Sequence, residues 1–221
     1  MSSFSKAFIS IVAGTGDPWL KIISGLLNNN ATVIVPVKCY DELQLLKDVT
    51  SSIATGELIT FFTDLPDYDK AVGFLEDIKA CFGRIDLIVL VIDNDCPVSP
   101  LTEVSYTEWE RMQHESISAY FIAGKVILHS MKGHAHGIYI TISNSAPLTQ
   151  SNPSPLNAIA EHMQAELSKL FAAEVKPYGV KYYHVLIDPA LEDGHHVARH
   201  IIKLCKGEVK YPKNTFQTIS A

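Results

Sequence analysis

The sequence is poor in cysteine, and its few cysteines are scattered. Cys39, Cys81, Cys96 and Cys205 are the only four in 221 residues, and no two form a CxxC pair. That spacing excludes a zinc ribbon or a disulfide framework and predicts free thiols in a reducing compartment. Long apolar runs are lacking too: the longest, Ile85 to Ile92, is broken by Asp86 and falls far short of a bilayer span. Met1 to Lys6 carries no basic segment, apolar stretch or small-residue cleavage site, so a cytoplasmic protein without a membrane partner is expected. Positive charge is in deficit, 18 Lys and Arg against 24 Asp and Glu for a net −6. This argues against a phosphate-tracking surface and a nucleic-acid partner. With 12 glycines, 11 prolines and 47% hydrophobic residues, collagen, low complexity and disorder are excluded as well.

What is present is the material of one folded unit. Against the ~150 residues of a typical domain, the length favours a single domain over residues 1–221. A chain of this size buries roughly 70% of its unfolded surface, so its core needs neither a disulfide nor a structural metal. Apolar runs of strand length occur at Phe8–Val12, Thr32–Val37, Leu58–Phe62, Leu87–Ile92, Gly137–Ile142 and Val180–Ile187. Between and after them come stretches of helical period: Trp19–Asn28, Asp41–Lys47, Asp67–Phe82, Thr107–Met131, Pro155–Val175 and Val197–Leu204. Leu87–Ile92 is apolar on both faces, as a buried parallel strand must be. The alternation predicts an α/β fold, a doubly wound seven-stranded parallel sheet with its ligand crevice at the strand C-terminal ends. The polar tail after Lys206 is expected to cover an edge.

In such a fold the first strand-to-helix turn is where a dinucleotide's phosphates meet backbone N–H groups and a helix N-terminus. Here that turn reads Ala13-Gly14-Thr15-Gly16-Asp17-Pro18-Trp19-Leu20. Gly14 and Gly16 have GxG spacing, but Asp17 and Pro18 bring a negative charge and a missing N–H to the anion's place. A tight structural turn and a working phosphate loop both remain open. Lys38 ends the second strand; with a nucleotide bound it would favour a 2′-phosphate, hence NADP, and otherwise it is a solvated lysine.

Several segments together resemble the short-chain dehydrogenase/reductase family. Pro100 to Ser105, Glu108 to Met112 and the run through Phe121 to Lys132 are similar to its fourth crossover helix. Gly83-Arg84-Ile85-Asp86-Leu87-Ile88-Val89 is similar to the lead-in to its fourth strand. Phe171 to Lys181 resembles the end of its fifth crossover helix. The resemblance spans about Lys6 to Pro189 and implies a Rossmann-like fold and NAD(P)-dependent oxidoreductase ancestry. It places an adenine-contacting carboxylate at Asp64, the catalytic Asn of the long helix at Ser116, and the catalytic Ser at Ser143 or Ser145. It also implies departures. The glycine motif's later glycines fall on Pro18 and Leu20, the NNAG segment on Leu90–Asp93 or Asp93–Cys96, and the YxxxK pair on Asn157 and Glu161.

The consequences of those substitutions are chemical. Hydride transfer to a carbonyl needs a proton donor at the developing alkoxide, and Asn157 cannot act as one; such catalysis is typically worth ~10²–10⁴ in rate. Glu161 reverses the charge of the lysine that would lower a phenol's pKa and hold the nicotinamide ribose. The leading expectation is a family member with degenerate catalytic motifs, a non-catalytic binding or partner subunit with no cofactor or weakly bound NADP. One alternative is an NADP-dependent oxidoreductase whose proton donor is Ser143 or a histidine. A second is a cofactor-independent lyase or dehalogenase using Glu161, Ser143 or Ser145, and His162. His195, His196 and His200 offer an i, i+4 pair without an accompanying carboxylate, so no metal is expected. Assembly as a homodimer or homotetramer is expected through the two long helices, or as a heteromer with an active paralogue. The faces expected to pair carry Ile117, Tyr120, Phe121, Gly124 and Leu128, and Ile159, Met163, Leu167, Leu170 and Phe171.

Overall fold

The computed structural model describes residues 4, 8–92, 96–134, 136–144, 154–187, 194–209 and 215–219, with Asn144 and the last segment described by backbone alone. The apolar runs form strands β1 Ile9–Gly14, β2 Thr32–Val37, β3 Glu57–Phe62, β4 Leu87–Val91, β5 Ile138–Asn144 and β6 Lys181–Ile187. Every pairing is parallel, in the order β3-β2-β1-β4-β5-β6, and β7 Thr215–Ile219 adds to β6. The tail thus supplies an edge strand rather than a cover. Thr-Phe-Gln-Thr-Ile lacks the doubly apolar signature that marks β4, so no apolar run announces this strand.

Helices lie on both faces because consecutive strand residues point to opposite sides. On one face α1 Gly16–Asn28, α2 Tyr40–Thr50 and α7 Gly194–Cys205 bury Trp19, Ile23, Leu46 and Ile201 against Val33, Val35, Val89 and Ile140. On the other, α3 Tyr68–Phe82, α5 Ala119–His134 and α6 Pro155–Val175 bury Phe74, Ile78, Ile127 and Ala172 against Ile11, Ile34, Ile88 and Tyr139. The long helix starts as α4 Tyr106–Met112, between α3 and α5. A capping box opens α4: Ser105 Oγ accepts from Glu108 N–H, and the Glu108 carboxylate accepts from Ser105 N–H at 2.8 Å. A π-helical segment, Gln113–Ser118, joins α4 to α5 and turns Ser116 inward.

Two elements begin earlier than their periodicity predicts. α1 starts at Gly16 and includes Pro18, because N–H groups in a helix's first turn have no intrahelical acceptor to lose. α7 starts at Gly194, three positions ahead of its first apolar residue, Val197. The outward faces of the long helices also differ from expectation. Tyr120, Gly124 and Leu128 face the core; Phe121, Met163 and Leu170 remain outside. Gly124 is where α5 and α6 cross, since a Cβ there would lie 2.5 Å from the Phe171 ring.

The strand order reverses between β1 and β4, so their C-terminal ends flank the crevice. Gly14 pairs with Val91 there, has φ +143°, and would place a Cβ 1.9 Å from the Val91 carbonyl oxygen. Gly14→Ala is therefore expected to cost about 3 kcal/mol or more, from backbone strain plus overpacking. Gly73→Ala, in α3 with open space around it, is expected to be neutral or slightly stabilising. Urea unfolding of the two variants beside wild type measures both.

Candidate functional site in the crevice

The C-terminal ends of β1, β2 and β4, the segment after β3 and the π-helical turn enclose a cavity of about 230 Å³. Gly14, Thr15, Lys38, Glu42, Arg111, Glu115 and Ser116 supply its polar wall; Pro36, Leu65, Leu90 and Ile92 supply apolar surface. Three of the residues singled out from sequence, Gly14, Lys38 and Ser116, therefore meet. Gly16 follows as the first residue of α1 with φ +82°, and Asp64 lines an adjoining recess of about 530 Å³ that Lys38 also borders. The turn itself has the character of both readings: Gly14 is required for strand contact, and its neighbours also line a cavity.

Glu42 was not singled out by sequence. It reaches back from the first turn of α2, where its Oε2 accepts the Lys38 backbone N–H at 2.6 Å. Asp17 points to solvent beside Lys21, 3.9 Å away.

Beyond β4, Asn157 and Ser143, which the resemblance puts at catalytic positions, are hydrogen-bonded to groups outside that set. Asn157 Oδ1 accepts the Cys96 N–H at 3.1 Å, and Ser154 Oγ donates to the Pro97 carbonyl at 3.0 Å. These two bonds tie the segment after β4 to the start of α6. Ser143, 2% exposed, donates at 3.2 Å to Oε1 of Gln164, a residue the sequence reading missed. Glu161 is 1% exposed and precedes Gln164 by one turn on the same helix face. His162 lies on the exposed side of α6, with Nδ1 2.7 Å from the Ala158 carbonyl oxygen. The expected Glu161–serine–His162 grouping is thus not assembled around Ser143: adjacent helix residues point about 100° apart. Ser145 and residues 93–95, part of the NNAG positions, lie outside the described residues.

Deeper between α5, α6 and the sheet lies a second polar group. Tyr120 Oη and Ser168 Oγ share a hydrogen bond. Tyr182 Oη lies 3.2 Å from each of them, and His184 Nδ1 is 2.8 Å from Thr141 Oγ1 and 3.1 Å from Ser168 Oγ. Burial pushes the Tyr120 and Tyr182 phenols up and lowers the His184 imidazole to about 4, so all are neutral at pH 7. The legible signal was the stripe Glu161, Gln164 and Ser168, spaced i, i+3, i+7 on the buried face of α6.

Residues 19–190 match the model of the short chain dehydrogenase family, and the chain belongs to that family. It is 22% identical over 178 residues to the short chain dehydrogenase/reductase dpchG of Colletotrichum higginsianum, covering 77% of this chain and 64% of that protein. The chain thus spans less than two thirds of that relative. Its fold is similar to a short-chain type dehydrogenase/reductase from Mycobacterium ulcerans, with TM-score 0.86, 15% identity and coverage of 98% of this chain and 89% of that one. It is also similar to a metagenomic short-chain oxidoreductase in complex with NADP, with TM-score 0.79, 18% identity and coverage of 97% and 96%. Among the described residues no helix is long and apolar enough to cross a membrane.

His184 makes a testable contribution to stability. Its folded pKa lies below the ordinary 6.5, so the unfolded chain binds the proton more readily. Stability from this group is complete above pH 6.5 and is lost as pH falls toward 4. Between pH 7.5 and 5 the loss is expected to be about 2 kcal/mol. Urea curves at the two pH values should show that loss in wild type and a smaller one in His184→Gln.

Proposed function

We propose that this chain is a short-chain dehydrogenase/reductase that no longer carries out the family's proton-coupled hydride transfer and acts as a binding or partner subunit. The observation that carries this reading is the engagement of Asn157 with the Cys96 amide, at the position of the family's phenolic proton donor. An amide has no proton to give at neutral pH, and this one is turned to backbone. Ser143, which would polarise a carbonyl, donates inward to Gln164 instead.

The cofactor divides along the crevice. Its nucleoside end fits the residues present: the cavity offers apolar walls and polar groups beside Lys38. Its nicotinamide end does not fit, because buried Glu161 stands where an ammonium would bind the ribose. Nicotinamide dinucleotides therefore bind weakly or not at all. Mixed with NADPH or NADH and a panel of aldehydes and ketones, the purified chain is expected to give no absorbance loss at 340 nm above the protein-free rate. Sustained turnover with any substrate overturns the proposal. It would favour the second reading, an NADP-dependent oxidoreductase with a substituted donor, which the retained Ser143, Lys38 and the NADP-bound structural neighbour support.

The second element of the proposal is assembly through α5 and α6. Phe121, Met163 and Leu170 are 44%, 44% and 61% exposed on adjacent helices, and Phe121 borders a groove that Phe171 and Tyr68 also line. Apolar side chains clustered this way mark an interaction face. A homodimer or homotetramer is expected by light scattering at tens of micromolar, and Leu170→Glu is expected to shift it toward monomer. A wild-type monomer leaves only a heteromer with an active paralogue, which would then be detected as a complex when the two chains are mixed.

A further inference from the structure

One side of the sheet ends in a strand with nothing alongside it. β3 stands last in the strand order, and among the described residues no backbone group pairs with its outer side. We propose that this edge takes up an extended segment of a partner protein as an added strand, a segment apolar at alternate positions and basic at both ends.

The backbone supplies the first part of the argument. Along a strand, one residue's N–H and C=O face one neighbour and the next residue's face the other. Glu57 N–H donates to the Ala31 carbonyl at 3.1 Å, and Thr63 N–H to the Val37 carbonyl at 3.0 Å. The odd-numbered residues of β3 therefore face β2, while Leu58, Thr60 and Phe62 turn their N–H and C=O groups outward. The register with β2 runs unbroken from Glu57 to Phe62, so no bulge twists the edge away. Glu-Leu-Ile-Thr-Phe-Phe also lacks the lysine or proline that commonly blunts an edge. Leu58 packs on the α2 side of the sheet and Ile59 and Phe61 on the α3 side, all only partly buried. An added strand would cover apolar surface on both faces and use the open backbone groups between them.

Charge decides the occupant. Between Lys38 and Lys70, the stretch that contains α2, β3 and the turn into α3, seven carboxylates stand against three lysines. Most of the chain's net charge of −6 therefore arises beside this edge. A second copy of the chain would bring the same excess against it, whereas a basic segment meets complementary charge. Glu57 is exposed at the start of the strand. At its other end Phe62 and Tyr40 are 55% and 77% exposed, with ring centroids 5.1 Å apart, and exposed Asp41 follows Tyr40. Aromatic faces beside a carboxylate suit a guanidinium.

The test is hydrogen exchange read amide by amide on the full chain at low ionic strength. The probe is the end-capped peptide Arg-Val-Thr-Val-Thr-Val-Arg, and the control is Glu-Val-Thr-Val-Thr-Val-Glu. The probe is expected to slow the Leu58, Thr60 and Phe62 amides about tenfold or more and to leave β4 and β5 unchanged. The control is expected to bind at least about fivefold more weakly. Thr60→Pro removes an outward donor but no bond to β2, so it is expected to weaken probe binding about tenfold. Phe62→Lys keeps every backbone donor and is expected to weaken it as well, by repulsion and loss of the ring. No slowing at millimolar probe overturns the proposal. So does equal binding of the two peptides, or undiminished binding by either variant at the wild-type melting temperature. Slowing that grows with chain concentration in the absence of peptide would give the edge to a second copy and overturn the proposal too.

Discussion

The contact between β1 and β4 at Gly14 and Val91 governs everything at the crevice. These strands are neighbours in space but distant in sequence, and the sheet reverses its winding between them. The Val91 carbonyl lies so close that no side chain fits at position 14. That approach sets where α1 begins, where the segment after β4 starts, and how wide a gap is left between the two. A glycine here serves the sheet first. Any ligand uses a geometry that packing already demands.

From that hinge the crevice has two unlike halves. On the β2 side two acids, a lysine, an arginine and several hydroxyls surround a cavity. On the β5 side polar groups face one another: Ser143 with Gln164, Asn157 with Cys96, Ser154 with Pro97. The polar stripe of α6 continues inward to Ser168, where tyrosines and a neutral histidine complete the network. Such buried groups are costly unless partnered, so each bond also specifies the seating of α6 on the sheet. In our reading, residues that conduct proton transfer elsewhere in the family have become struts here.

The fold was legible because β4 is apolar on both faces and because strand-length apolar runs alternate with stretches of helical period. Strand ends and helix faces were less so. Tyr120 carries a hydroxyl and looked suited to an outer face, yet it is 1% exposed because Ser168 and Tyr182 satisfy it inside. The candidate site was legible at Gly14 and Lys38, whose positions follow from element order, and at Ser116 through the family resemblance. Glu42 and Gln164 were not, since each acts through a partner that only the folded chain brings near. Both positions could have drawn notice: Glu42 in an uncapped first turn, Gln164 within an i, i+3, i+7 polar stripe.

Asn157 ties α6 to the segment after β4. Hydrogen exchange at the Cys96 amide tests this most directly. The account predicts slowed exchange at that amide in wild type and loss of the protection in Asn157→Ala, while amides in β4 and β5 stay protected. Exchange at Cys96 as fast in wild type as in an unstructured peptide would contradict it.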